Sequence, residues 1–94
     1  MTADPALRLV VLGRVQGVGF RWWAIDTALG LGLRGWVRNR RDGSVEVHAI
    51  GPGDQLDAFA RACESGPAAA RVTSVERFSA EDDGTRGFEH RGSA

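Results

Sequence analysis

The 94-residue chain has one cysteine, Cys63, and no lysine. A lone thiol forbids an intramolecular disulfide and a thiolate metal cluster. Without lysine there is no lysine nucleophile and no lysine Schiff base. Net charge is missing too: 12 arginines balance 12 carboxylates, so no overall field draws the chain to nucleic acid or to an anionic membrane. No apolar run reaches the roughly 18 residues a membrane helix needs. The segment Met1-Thr2-Ala3-Asp4-Pro5 lacks the basic and apolar regions of a secretory leader. A cytoplasmic protein with neither nucleic-acid nor membrane partner is expected, and any anion it recognises has to be recognised locally.

What is present is ordinary for a globular chain: 43% hydrophobic and 26% charged residues. The length allows one core, so residues 1–94 read as a single domain with its core over about 7–90. Two histidines and one cysteine at no useful spacing offer no metal site, and no cofactor is expected. Cys63 falls on the apolar spacing of a helix and reads as a buried free thiol.

Leu7 to Leu12 is a short apolar run with branched residues and predicts a strand. Residues 21–31 predict a helix with Trp22, Ile25 and Leu29 on its inward stripe, stopped by Gly30 and Gly32. Leu33 to Asn39 and Ser44 to Ile50 predict two strands, joined by Arg40-Arg41-Asp42-Gly43 with its Asp-Gly hairpin signal. Val45, Val47 and Ala49 alternate with Ser44, Glu46 and His48, which puts His48 toward solvent. Asp54 is a candidate N-cap for a second helix whose Leu56, Phe59, Ala60 and Cys63 recur at i, i+3, i+4 and i+7. Residues 70–78 predict a fourth strand. Val72 and Val75 fall out of period-two phase there, which calls for a bulge or a later start. Ser79 to Gly87 reads as a loop, Phe88-Glu89-His90 as a short edge strand, and Gly92-Ser93-Ala94 as a frayed end. The order β-α-β-β-α-β predicts a ferredoxin-like α+β two-layer sandwich, an antiparallel sheet with two helices on one face.

The most informative segment is Arg14-Val15-Gln16-Gly17-Val18-Gly19-Phe20-Arg21, set between the first strand and the first helix. Gly17 and Gly19 let backbone N–H groups converge, and a helix start adds unpaired N–H groups of its own. Such a junction suits an anion. Arg21 adds a planar fork that matches two phosphate oxygens. By geometry alone, a strain-relieving turn with a solvated Arg21 is an equal reading.

Val11-x-Gly13-x-Val15-Gln16-Gly17-Val18-x-Phe20-Arg21 resembles the first signature of the acylphosphatase family. Gly35-Trp36-Val37-Arg38-Asn39, with Gly43, Val45 and Gly51, resembles that family's second signature at the same spacing. The similarity runs from about Leu7 to Phe78 and implies the same fold. It implies an enzyme that hydrolyses the carboxyl-phosphate anhydride of a small-molecule acyl phosphate. It also implies Arg21 and Asn39 as catalytic residues, Arg21 holding the phosphoryl group and Asn39 orienting the attacking water. The phosphoryl group would lie on Val15, Gln16, Gly17, Val18, Gly19, Phe20 and Arg21, where inorganic phosphate or sulfate would also bind. Without the resemblance, Asn39 reads as a turn-initiating residue. Whether the tail beyond His90 contacts Arg21 stays open.

No side chain is an evident general base, and an acyl phosphate does not demand one because its carboxylate leaves unprotonated. Trp22 and Trp36 are expected to close the core or flank the site, with Trp23 off the stripe and half-exposed. Arg38, Arg40 and Arg41 form a solvated basic face beside Asn39. A monomer is expected. Two alternatives are a non-enzymatic phosphoryl- or anion-binding module and a ferredoxin-like RNA-binding domain. The second needs paired aromatics on an outward sheet face, and the strands carry none in that pattern.

Overall fold

In the computed structural model, which describes residues 3–94, the order is β1 (Pro5–Arg14), α1 (Phe20–Gly30), β2 (Arg34–Asn39), β3 (Val45–Ile50), α2 (Gly53–Ser65), β4 (Arg71–Glu81) and β5 (Phe88–His90). Met1 and Thr2 of the leader reading lie outside the described residues. The strands form one sheet in the order β4-β1-β3-β2-β5. β1 pairs antiparallel with β3 and β4, and β2 antiparallel with β3.

Strand pairing lines side chains up in rows across the sheet. Leu9, Val47 and Val37 form one row and Val11, Val45 and Asn39 the next, on the face both helices cover. From α1 come Phe20, Ala24, Ile25 and Ala28, and from α2 Leu56, Phe59, Ala60 and Cys63, all buried in one cluster with these strand residues. The α2 stripe is the one its periodicity predicts. Asp54 lies inside the first turn rather than capping it, since Gly53 already begins the helix and Pro52 is the N-cap. Burial pushes the Cys63 thiol up to about 12, so it stays protonated and inert.

The bulge expected from Val72 and Val75 is present. Leu12 pairs with Ser74 and Gly13 with Val72, leaving Thr73 as the extra residue. Val75 opposite Val11 and Val72 opposite Gly13 then both pack on the core. Gly13 sits at φ 128°, and a Cβ there would collide with the Arg71 carbonyl. Glycine is required at that point of closest approach.

Four further expectations change. The α1 stripe is not Trp22, Ile25 and Leu29: the helix starts at Phe20, which is buried, and Trp22 is turned roughly 200° from it. Trp22 is consequently 68% exposed and Leu29 54%, while Trp23 packs half-buried beside Phe20, ring centroids 5.3 Å apart. The sheet is mixed rather than antiparallel, because β5 runs parallel to β2, with Phe88 opposite Gly35 and His90 opposite Val37. The tail is not frayed. The Arg91 N–H donates to the Val37 carbonyl at 2.9 Å and the Ala94 N–H to that of Asn39 at 3.1 Å, using the open edge of β2.

The fourth change concerns the outer face. His48 is only 7% exposed and Glu46 6%, because β3 is the central strand and long side chains from its neighbours cover both. Glu46 accepts from Arg38 Nε at 2.6 Å and pairs with Arg8 Nε at 3.2 Å. Arg38 therefore belongs to this network and not to a solvated face. His48 stacks on Trp36 with centroids 5.5 Å apart, and the guanidiniums of Arg38 and Arg91 lie 5.0 and 4.9 Å from the Trp36 ring. The Trp36 indole N–H donates to Asp83 at 3.1 Å. Burial pushes the Asp83 carboxyl up, but the Thr85 hydroxyl and N–H, the Trp36 N–H and nearby His48 outweigh it and hold the group at about 2. Trp36 is thus occupied on the face opposite the core, and no open aromatic pair remains there for stacking bases.

Candidate active site

Everything at this site sits at one end of the sheet. The row Val11–Val45–Asn39 shows that the end of β1 and the end of β2 lie at the same edge, on the helix-covered side. The loop 15–19 leaves β1 there and turns into α1. Val15 and Phe20 are buried and Val18 packs against the core, so three inward side chains pin the loop. Between them Gly17 and Gly19 adopt φ 73° and 82°, with open space where a side chain would be. That left-handed geometry strains any L side chain, and successive N–H groups in such a turn can converge on one anion. Gly19 is the α1 N-cap, and the first helical bond runs from the Trp23 N–H to its carbonyl at 3.1 Å. Among the described residues, no N–H from Gln16 to Trp22 meets a protein acceptor.

Arg21 lies in the first turn of α1, directly after that run of free donors. Seven of the 12 arginines pair with carboxylates: Arg8, Arg34, Arg38, Arg40, Arg61, Arg77 and Arg91. Of the other five, Arg14, Arg41, Arg71 and Arg86 are exposed. Arg21 alone is half-buried with no acidic partner among the described residues. A partly desolvated cation beside unpaired N–H groups is an incomplete arrangement that an anion completes.

Asn39 ends β2 half-buried, its Oδ1 shielded from solvent and without a hydrogen-bond partner. Its carbonyl accepts from Ala94. The tail therefore touches Asn39, and Arg21 has no ion pair with it among the described residues. β2 is not beside β1: β3 lies between them. Asn39 meets the loop through the β2–β3 turn, by way of a contact the sequence reading lacked.

That contact is the Gln16 side chain. Its Nε2 donates to the Arg40 carbonyl at 2.7 Å and to the Ser44 carbonyl at 2.8 Å. Both amide hydrogens are used, so Gln16 acts as a strut between the loop and the turn after Asn39. The turn is itself stiff. Asp42 accepts from the Ser44 N–H at 2.9 Å and from its hydroxyl, while Arg40 N–H donates to the Ser44 carbonyl at 2.9 Å. The Ser44 bonds and the Arg40 charge hold the Asp42 carboxyl below its usual range. A polar side chain inside a glycine loop is a signal that it bonds something. Its partner 24 residues away is not readable from the chain.

Among the described residues no three His, Cys, Asp or Glu side chains converge as metal ligands, and no helix is long and apolar enough to cross a membrane. A family model described as Acylphosphatase matches residues 7–90. An acylphosphatase of Nitrobacter hamburgensis is 53% identical over 73 residues, 78% of this chain and 74% of that one. An acylphosphatase from Coxiella burnetii superposes with a TM-score of 0.89 at 31% identity, covering 95% and 94% of the two chains. One from Bacillus subtilis does so at 0.88 and 38% identity, covering 93% and 98%. With both glycine-loop and Asn39 segments inside the matched span, the chain belongs to the acylphosphatase family, enzymes that hydrolyse acyl phosphates.

Proposed function

We propose that Arg21 and the free N–H groups of residues 15–20 hold the phosphoryl group of an acyl phosphate, and that Asn39 orients the water that attacks it. The observation that carries this reading is the half-buried, unpartnered Arg21 at the head of α1. Phosphoryl transfer spreads negative charge over the equatorial oxygens, so fixed donors aimed at those oxygens do most of the catalytic work. The guanidinium supplies a two-oxygen fork and the loop supplies backbone dipoles, neither of which has to reorganise during the reaction.

Asn39 contributes an amide that both accepts and donates. Its buried Oδ1 has no acceptor role filled within the described residues, which leaves that role for the hydrogen of a water held in the site. The water oxygen attacks phosphorus as the bond from phosphorus to the carboxyl oxygen breaks. The electron pair leaves with the carboxylate, and the water's proton passes to a non-bridging phosphoryl oxygen, giving carboxylate and dihydrogen phosphate. No acid is needed for a leaving group that is stable as an anion at neutral pH. An alkyl phosphate, whose leaving oxygen does need a proton, lies outside the substrate class.

The same reading takes the protein as metal-independent, monomeric and cytoplasmic. Among the described residues its exposed large apolar side chains are dispersed: Trp22 and Leu29 stand at opposite ends of α1 and Phe78 is on β4. Its lone cysteine remains a thiol. The test is hydrolysis of acetyl phosphate in excess EDTA with inorganic phosphate as a competitor. Turnover that survives chelation and is inhibited competitively is expected. Loss of turnover on chelation, restored by one metal, overturns the metal-free mechanism. Phosphate binding without turnover favours the anion-binding module instead.

A further inference from the structure

The phosphoryl site, as read above, leaves unassigned what meets the acyl group. An acyl phosphate held by its phosphoryl oxygens extends its carbonyl and substituent past the bridging oxygen, so that substituent lies against whatever flanks Arg21. Trp22 is the next residue, in the same first turn of α1, and is 68% exposed. Among the described residues two other large apolar side chains are exposed: Leu29 stands at the opposite end of α1, and Phe78 lies under the Arg8 guanidinium at 4.6 Å. Of these three, the Trp22 indole combines an uncovered face with a place beside the anion loop.

The indole is not loose. Its ring meets that of His90 edge-on, with centroids 4.5 Å apart and planes at 64°. His90 ends β5 level with Val37, two residues short of Asn39 on the neighbouring strand. The Trp22–His90 pair therefore joins the helical turn carrying Arg21 to β5, the neighbour of the strand that ends in Asn39. His90 Nε2 is itself buried and without a partner, so the imidazole's part here is to support the indole by packing.

We infer that Trp22, propped by His90, is the acyl-side contact of the site and selects aromatic acyl phosphates over the smallest ones. The inference rests on the proposed role of Arg21 and the loop. A flat apolar acyl group covering the indole removes two apolar surfaces from water and gains ring–ring contact, whereas an acetyl group covers little of it. His90 is a positioning residue that acts through Trp22.

The experiment measures kcat/KM for benzoyl phosphate and acetyl phosphate, and inhibition by inorganic phosphate, in wild type, Trp22→Ala, Trp22→Phe and His90→Ala. Trp22→Ala should lower the benzoyl-to-acetyl ratio by about fivefold or more. The change should lie mainly in KM for benzoyl phosphate, with phosphate inhibition unmoved. Trp22→Phe should retain most of the ratio, and His90→Ala should lower it in the same direction by less. A ratio in Trp22→Ala within about twofold of wild type overturns the inference, and so does an equal loss on both substrates. Wild type that hydrolyses neither substrate overturns the underlying functional reading and this inference with it, an outcome visible before any substitution is made.

Discussion

Gln16 donates its side-chain amide to the Arg40 carbonyl at 2.7 Å, and this bond sets the anion loop against the turn that follows Asn39. The strands leading to the two proposed catalytic residues do not pair: β1 runs into the loop ahead of Arg21, Asn39 ends β2, and β3 intervenes. Packing of α1 on β2 sets the helix that carries Arg21, and the strut fixes the loop ahead of it against the turn after Asn39.

Gln16→Ala should therefore reduce activity more than its stability loss explains. Arg40 and Ser44 keep other donors for their carbonyls, from Gly43 and Arg40. The stability loss should be about 1 kcal/mol, a fall of roughly 4–8 °C in Tm. A small displacement of loop against turn should lower kcat/KM by about tenfold or more. Gln16→Glu should be worse in both measures, since a carboxylate has no hydrogen to offer two carbonyl oxygens. Full activity in Gln16→Ala would dispose of the strut.

Arg21→Lys should be nearly as damaging as Arg21→Ala, because an ammonium cannot span two phosphoryl oxygens. Loss of one charge-assisted contact made mainly in the transition state is worth about 3 kcal/mol, a factor of about a hundred or more in kcat. Arg21 has no protein partner to leave unpaired, so Tm should hold or rise in both variants. A lysine variant with kcat within about threefold of wild type would remove the two-oxygen role.

Asn39→Ala should separate catalysis from binding. With the loop and Arg21 intact, phosphate inhibition should stay near the wild-type level while kcat collapses. Asn39 holds the tail through its backbone carbonyl, which alanine keeps. A variant with normal kcat and a lowered Tm would instead make Asn39 a turn residue.

The acid limb of the stability curve should depend on Asp82. Its carboxylate accepts from Arg34 at 2.7 Å and from the N–H groups of Gly84 and Asp4, and these hold its pKa at about 2. The unfolded value is about 3.9. The folded pKa is the lower one, so this stabilisation is fully present above about pH 4 and is lost as pH falls through about 2. Urea unfolding of wild type and Asp82→Asn should show a constant difference from pH 5 upward. That gap should narrow below about pH 4. A gap that persists unchanged to pH 2 would show that Asp82 does not titrate with folding.

Local chemistry determined more of this protein than its length suggests. The i, i+3, i+4, i+7 spacing from Leu56 to Cys63 marks an inward helix face, Asp42-Gly43 marks a hairpin, and the phase slip between Val72 and Val75 marks the bulge at Gly13. Each of these signals is set by residues a few positions apart, so the chain alone carries it. The glycine loop ahead of Arg21 is legible for the same reason. Tertiary structure decided the rest. Periodicity reports one buried face, but Glu46 and His48 are buried on the other because β3 is central and Arg8, Arg38 and Trp36 reach over it. A helix starting at Phe20 sends Trp22 outward, whichever residue looks most apolar in the sequence. β5 runs parallel to β2 because that edge was open, and Gln16 finds its acceptors only once hairpin and loop share one end of the sheet. Arg21 stands out for the same reason: among the described residues it alone of the five arginines without a carboxylate partner is half-buried, and burial is settled only when the chain has folded.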